Sequence, residues 1–108
     1  MKQEPLTESY YYILLCLFHE PSHGYGIMQK VLALSNERVK IGSGTMYGAI
    51  SNMIKKKWII ETTSTDPQDD RKRLYEMTEL GKLVLLEEIK RLRELVENAD
   101  MMINQKLG

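Results

Sequence analysis

Apolar side chains along this chain fall into four blocks at helical spacing and two blocks of strand character. In the first, about Leu6 to His19, residues Tyr10, Ile13, Leu14, Leu17 and Phe18 recur three and four apart, which lays them on one helical face. Tyr11, Tyr12, Leu15 and Cys16 make the other faces apolar too, and a helix apolar all round needs cover on more than one side. Thr7 is placed to cap this helix, with Leu6 stapling back onto its first turn. Pro21 closes the block, because it lacks an N–H and pushes the residue before it out of the α region. Ser22 then reads as the cap of a second helix, about His23 to Ser35. Its apolar stripe is Tyr25, Ile27, Met28, Val31, Leu32 and Leu34, and Asn36 is its stop.

Arg38 to Ile41 alternates basic and apolar residues and reads as a short strand. Gly42 or Ser43 caps a third helix, about Ser43 to Lys57, with Met46, Ala49, Ile50, Met53 and Ile54 on one face. Trp58 to Thr65 is β-branched or aromatic, D-P-Q-D-D at 66–70 is turn chemistry, and Arg71 to Met77 is the returning strand of a hairpin. Thr78 caps a long last helix, with Glu79 in its first turn, where a negative charge suits the helix dipole. Leu85, Ile89, Leu92, Val96, Ala99 and Ile103 alternate steps of four and three, which is a heptad seam. The pattern predicts a mostly α fold with a small β-hairpin: a winged helix-turn-helix over residues 1–77 and a C-terminal dimerisation helix over 78–108.

The length, 108 residues, is that of one domain, with room for a tail helix. Fifteen Lys and Arg balance fifteen Asp and Glu, which excludes a uniformly basic coat but not a basic face. Residues 37–73 hold eight basic against five acidic side chains, so this stretch is locally positive and the rest of the chain negative. A single cysteine excludes an intrachain disulfide. No apolar run reaches the ~20 residues of a membrane span. Glu4 and Glu8 precede the first apolar stretch with no small-residue cleavage site, against a secretory signal. The expectation is a cytoplasmic protein.

In a winged helix-turn-helix the third helix buries one face and offers small polar side chains to the major groove. Residues 43–54 carry no charge at all, which is odd for a solvated helix face and natural for a groove. Ser43, Thr45, Ser51 and Asn52 have hydrogen-bonding groups for base edges or phosphates. Gly48 permits close approach, Lys55 suits a phosphate, and Tyr47 offers a hydroxyl to the backbone. Arg71, Lys72 and Arg73 stand at the root of the wing, beside Asp66, Asp69 and Asp70, which either neutralise or orient them. Affinity for a duplex follows the phosphates neutralised at the contact, and two subunits on one duplex double a modest positive patch.

The runs L-T-E-S-Y-Y-Y-I-L-L, P-S-H-G-Y-G-I-M, G-S-G-T-M-Y-G-A-I, D-D-R-K-R-L-Y and M-T-E-L-G, in this order, resemble the PadR family of bacterial transcriptional regulators over about residues 6 to 100. The resemblance is to the short branch, with one C-terminal helix. It implies a homodimeric winged-helix repressor on an inverted-repeat operator, with the last helix packed on the partner's last and first helices. Carried over by position, it implicates His23 and Tyr25 of H-G-Y-G and Tyr47 of G-T-M-Y-G beside the helix-turn-helix, with Arg71 and Arg73 on the wing. Tyr10, Ile13, Leu14, Leu17, Leu85, Ile89, Leu92, Val96, Ala99 and Ile103 are the expected dimer interface. Two positions depart from the pattern. Ser43 stands where relatives often have Pro, and Lys57 where they often have the glycine closing the helix, which predicts strain at Lys57 if the backbone there is left-handed. Release by a small-molecule effector at the dimer interface is also implied, with Tyr10, Tyr11 and Tyr12 as aromatic walls and Met101 and Met102 as adaptable surface.

Two other classes compete with this reading. An enzyme or metal site rests on Cys16, His19 and His23, but Pro21 separates the two histidines and Cys16 lies in an apolar helix. No metal or cofactor is expected. G-S-G-T lacks the lysine of a phosphate loop. A winged-helix module that binds protein and not DNA is the alternative, since fold does not fix function.

Overall fold

The computed structural model describes residues 4–63 and 73–105. Helix α1 spans Glu8–Cys16, and the Thr7 hydroxyl accepts the Tyr10 N–H at 3.1 Å, the cap that the sequence predicts. The helix stops well before Pro21, because the N–H groups of Leu17 and Phe18 tighten onto the carbonyls three residues back. Helix α2 spans Gly24–Leu34. It ends with Asn36 N–H on Ala33 O and Glu37 N–H on Leu32 O, with Asn36 at φ 55°. That is the left-handed Schellman closure expected of Asn36. Helix α3 spans Ser43–Lys55 with Gly42 as its cap, β1 spans Ile59–Thr63, β2 spans Arg73–Met77 and α4 spans Glu79–Ile103. The strands are antiparallel, with Ile59 opposite Met77 and Thr63 opposite Arg73. Residues 64–72, including the predicted turn, Arg71 and Lys72, lie outside the described residues. The order and content are those of a winged helix with one long terminal helix.

Three expectations need correction. Ser22 does not cap α2; His23 does, its Nδ1 accepting the Gly26 N–H at 3.0 Å. The Ser22 backbone is engaged elsewhere, exchanging hydrogen bonds of 3.1 and 2.9 Å with Tyr75 of β2. Arg38–Ile41 is not a strand: Ser35 Oγ takes the Val39 N–H at 3.0 Å, so the segment curls round that hydroxyl. The sheet therefore gains its third backbone partner at Ser22. Finally, Tyr25 and Leu34 are exposed, and the buried side of α2 is Gly24, Ile27 and Val31.

The core gathers Ile13, Leu14 and Leu17 of α1 and its C-cap, Ile27 and Val31, Met46, Ile50 and Met53, Ile59 and Tyr75, and Val84 and Leu85 of α4. Four of the expected dimer residues, Ile13, Leu14, Leu17 and Leu85, are thus enclosed by their own chain. The first three turns of α4 belong to the same core. Gly81 makes this possible, since a Cβ there would stand 2.1 Å from the Trp58 carbonyl oxygen. Thr78 locks the contact: its one hydroxyl hydrogen is shared between Lys57 O and Trp58 O, and its oxygen accepts the Gly81 N–H. Among the described residues no helix is long and apolar enough to cross a membrane.

Candidate nucleic-acid interface

Met46, Ala49, Ile50 and Met53 turn one side of α3 into the core. The opposite side is the line Gly44, Gly48, Ser51 and Lys55, four and three apart, all exposed. Beyond the backbone of α3 itself and the adjoining residues, no described atom lies within 4 Å of where a Cβ on Gly44 or Gly48 would stand. Among the described residues no neighbour crowds those glycines, yet Gly48, inside the helix, costs roughly 1 kcal/mol relative to alanine.

The two flanks of this line are held by other helices. On one side Tyr47 lies across the start of α2: a Cβ on Gly24 would come within 2.6 Å of the Tyr47 hydroxyl. The first glycine of H-G-Y-G therefore exists to admit the tyrosine of G-T-M-Y-G. The second, Gly26, leaves room for Ser22 Oγ and the capping His23 ring. Tyr47 remains half exposed, and Tyr25 is more exposed still. On the other side Asn52 Nδ2 donates to the Tyr10 hydroxyl of α1 at 2.9 Å. Ser43 and Thr45 are exposed in the first turn of α3. His23 is half-buried and committed to its cap.

On the hairpin, Arg73 is exposed and lies 3.6 Å from Glu61 across the strands. Beneath it Tyr75 is buried, and burial, then Glu61, pushes its phenol above the ordinary value. Lys56 sits 5.3 Å over the Trp58 ring, so cations gather at the end of α3. The C-terminus of α3 closes through Lys57 N–H on Ile54 O and Trp58 N–H on Met53 O. Lys57 stands at φ 65°, the strained left-handed position expected for it.

The thiol of Cys16 is buried and pushed up to about 11 by desolvation, an inert core group. His19 instead sets its ring edge-on to Phe18. Of the remaining expected interface residues, Ile89 and Leu92 are half-buried, while Val96, Ala99 and Ile103 are exposed on the free half of α4. Tyr11, Ile89, Leu92, Arg93, Val96 and Glu97 line an open groove of about 440 Å³ between α1 and α4.

One buried carboxylate, Glu88, is not assigned by the heptad spacing of α4. It is 2% exposed and accepts Arg91 Nε and Nη2 at 2.7 and 2.8 Å and the Leu6 N–H at 2.9 Å. A signal was present: Glu88 interrupts the apolar face between Leu85 and Leu92, and Arg91 follows one turn later. The Arg38–Glu8 ion pair, which ties the α2–α3 connection to α1, left no such local trace.

Residues 13–87 match the Transcriptional regulator PadR-like family. An uncharacterized protein of Lysinibacillus sphaericus is 33% identical over 92 residues, covering 84% of each chain. A PadR-like transcription factor from Bacteroides fragilis is 25% identical and superposes with a TM-score of 0.71 over 86% of this chain and 87% of its own. A transcriptional regulator from Clostridium thermocellum, 20% identical, has the same fold with a TM-score of 0.72 over 90% of each chain. The matched span takes in the end of α1, the whole of α2, α3 and the hairpin, and the first turns of α4. The chain belongs to the PadR-like family of transcriptional regulators, and is a DNA-binding regulator, not an enzyme.

Proposed function

We propose that this regulator acts as a homodimeric repressor that reads an inverted-repeat operator with two copies of α3. One observation carries the reading: the outward line of α3 is stripped to glycine, serine and one lysine, with nothing among the described residues crowding the glycines. In the complex Ser43, Thr45, Gly48, Ser51 and Asn52 face base edges, and Lys55 meets a phosphate. Tyr25, Tyr47 and the His23 turn lie along the backbone, and Arg71, Lys72 and Arg73 follow it from the wing. The dimer forms where the free half of α4 and the groove beside Tyr11 meet their counterparts, and an effector would enter at that same interface.

Selection of bound sequences from a random DNA pool tests this directly. The expected product is a palindrome whose half-sites lie about one turn apart, ~34 Å. A reporter behind that sequence should lose output when the protein is supplied. A pool that enriches nothing, or protein footprints that leave residues 43–57 untouched by DNA, would remove the proposal and favour a protein-binding module. A reporter that rises instead would make the protein an activator.

A further inference from the structure

Asn52 is exposed on α3, but it is not left to itself. Its Nδ2 donates a 2.9 Å hydrogen bond to Tyr10 Oη, across 42 positions of sequence. Tyr10 is well anchored for this task. Its ring packs against the core, and its own N–H is held by the Thr7 cap. We infer that Tyr10 is a positioning residue for base recognition, whose hydroxyl holds the Asn52 amide in the orientation that reads an adenine.

A carboxamide has two N–H donors and an acceptor oxygen. With one N–H on Tyr10, one donor and one acceptor remain, which is the pair that adenine N7 and N6 require. An unrestrained asparagine divides its time among staggered rotamers, and freezing one of them at an interface costs binding free energy. The Tyr10 bond makes that selection before DNA arrives. In open solvent such a bond adds little to folding. Once the groove closes over it and water leaves, it strengthens. Its effect therefore belongs to the complex. Tyr10 sits on α1, which packs on α4, so the bond also joins the reading face to the helices of the proposed dimer.

The inference rests on the reading of α3 as the groove-entering helix, and its test separates the two. Wild type, Tyr10→Phe, Asn52→Ala and the double variant are titrated against the pool-selected operator and against random DNA. Tyr10→Phe should bind the operator roughly three- to tenfold more weakly. It should bind random DNA as before and unfold at the same temperature. It should relax the same base pair in each half-site that Asn52→Ala relaxes, and the double variant should lose no more than Asn52→Ala alone. Tyr10→Phe reading the operator as wild type does, weakening operator and random DNA equally, or adding its loss in full to that of Asn52→Ala would each overturn the role. If the wild type enriches no sequence, the reading of α3 falls and this role with it. If it enriches one that Tyr10→Phe reads unchanged, only the Tyr10 role falls.

Discussion

Lys57 holds a backbone conformation that its own Cβ opposes. The Schellman closure of α3 needs a left-handed residue there, and a non-glycine residue in that region costs roughly 1–2 kcal/mol. Lys57→Gly removes that strain, and the looser unfolded chain offsets about 0.4–1 kcal/mol of the gain. A net stabilisation of about 0.5–1 kcal/mol is expected in urea unfolding; a net loss would show that the lysine side chain matters more than its backbone. Gly48→Ala should split stability from binding. A methyl there meets open space, so helix stability should rise by roughly 0.5–1 kcal/mol, while operator affinity falls about tenfold through overpacking in the groove. Equal or tighter binding by Gly48→Ala would contradict a close approach at this line. Both positions were visible in the sequence, because conformational strain and helix propensity are properties of a residue and its nearest neighbours. The roles of Gly24 and Gly81 were not, because the atoms that crowd them come from other elements.

Among the elements, α4 does two jobs. Its first turns complete the core, and Glu88 fastens them to the chain before α1 through Leu6. The Arg91 guanidinium holds the Glu88 carboxyl below its ordinary value. A carboxylate favoured by folding contributes stability that is whole above its unfolded pKa and is lost as pH falls through the lowered folded value. Acidification below about pH 4.3 should therefore lower the urea midpoint of the wild type more steeply than that of Glu88→Gln; parallel curves would show that the pair does not couple to folding. Beyond Leu92 the helix runs exposed, with Val96 61% and Ile103 79% accessible. A solitary stretch of that length is marginal in water, and the proposed dimer would cover its apolar face. Val96→Glu should leave the fold of one chain intact by circular dichroism and shift sedimentation from the proposed dimer to monomer, with loss of operator binding. A wild-type chain already monomeric at micromolar concentration would withdraw the dimer.

At the scale of the molecule, α4 makes the chain long: its extents are 68 × 33 × 23 Å and its radius of gyration is 16.6 Å, against about 13 Å for a compact chain of this size. Charge is likewise uneven, neutral in total and positive over 37–73. Duplex affinity depends on local phosphate neutralisation, about 0.9 in salt slope per contact. Lys55→Ala in both subunits of the proposed dimer should flatten the slope of log affinity against log salt by roughly 2, on operator and random DNA alike. An unchanged slope would take Lys55 off the phosphate.

The sequence alone determined the caps at Thr7 and Thr78, the left-handed closures at Asn36 and Lys57, the helix and hairpin order, and the uncharged face of α3. Each depends on residues a few positions apart, where period and capping chemistry act. Only the tertiary structure decided that Ile13, Leu14, Leu17 and Leu85 serve their own core while Val96 and Ile103 stand free. Burial is non-directional, so a periodic stripe says that a face must be covered and not which body covers it. The same limit hid the Ser22–Tyr75 bridge, the Glu88–Leu6 bond and the hydroxyl of Tyr10 on Asn52. These are contacts between distant residues, and folding the chain is what brings them together.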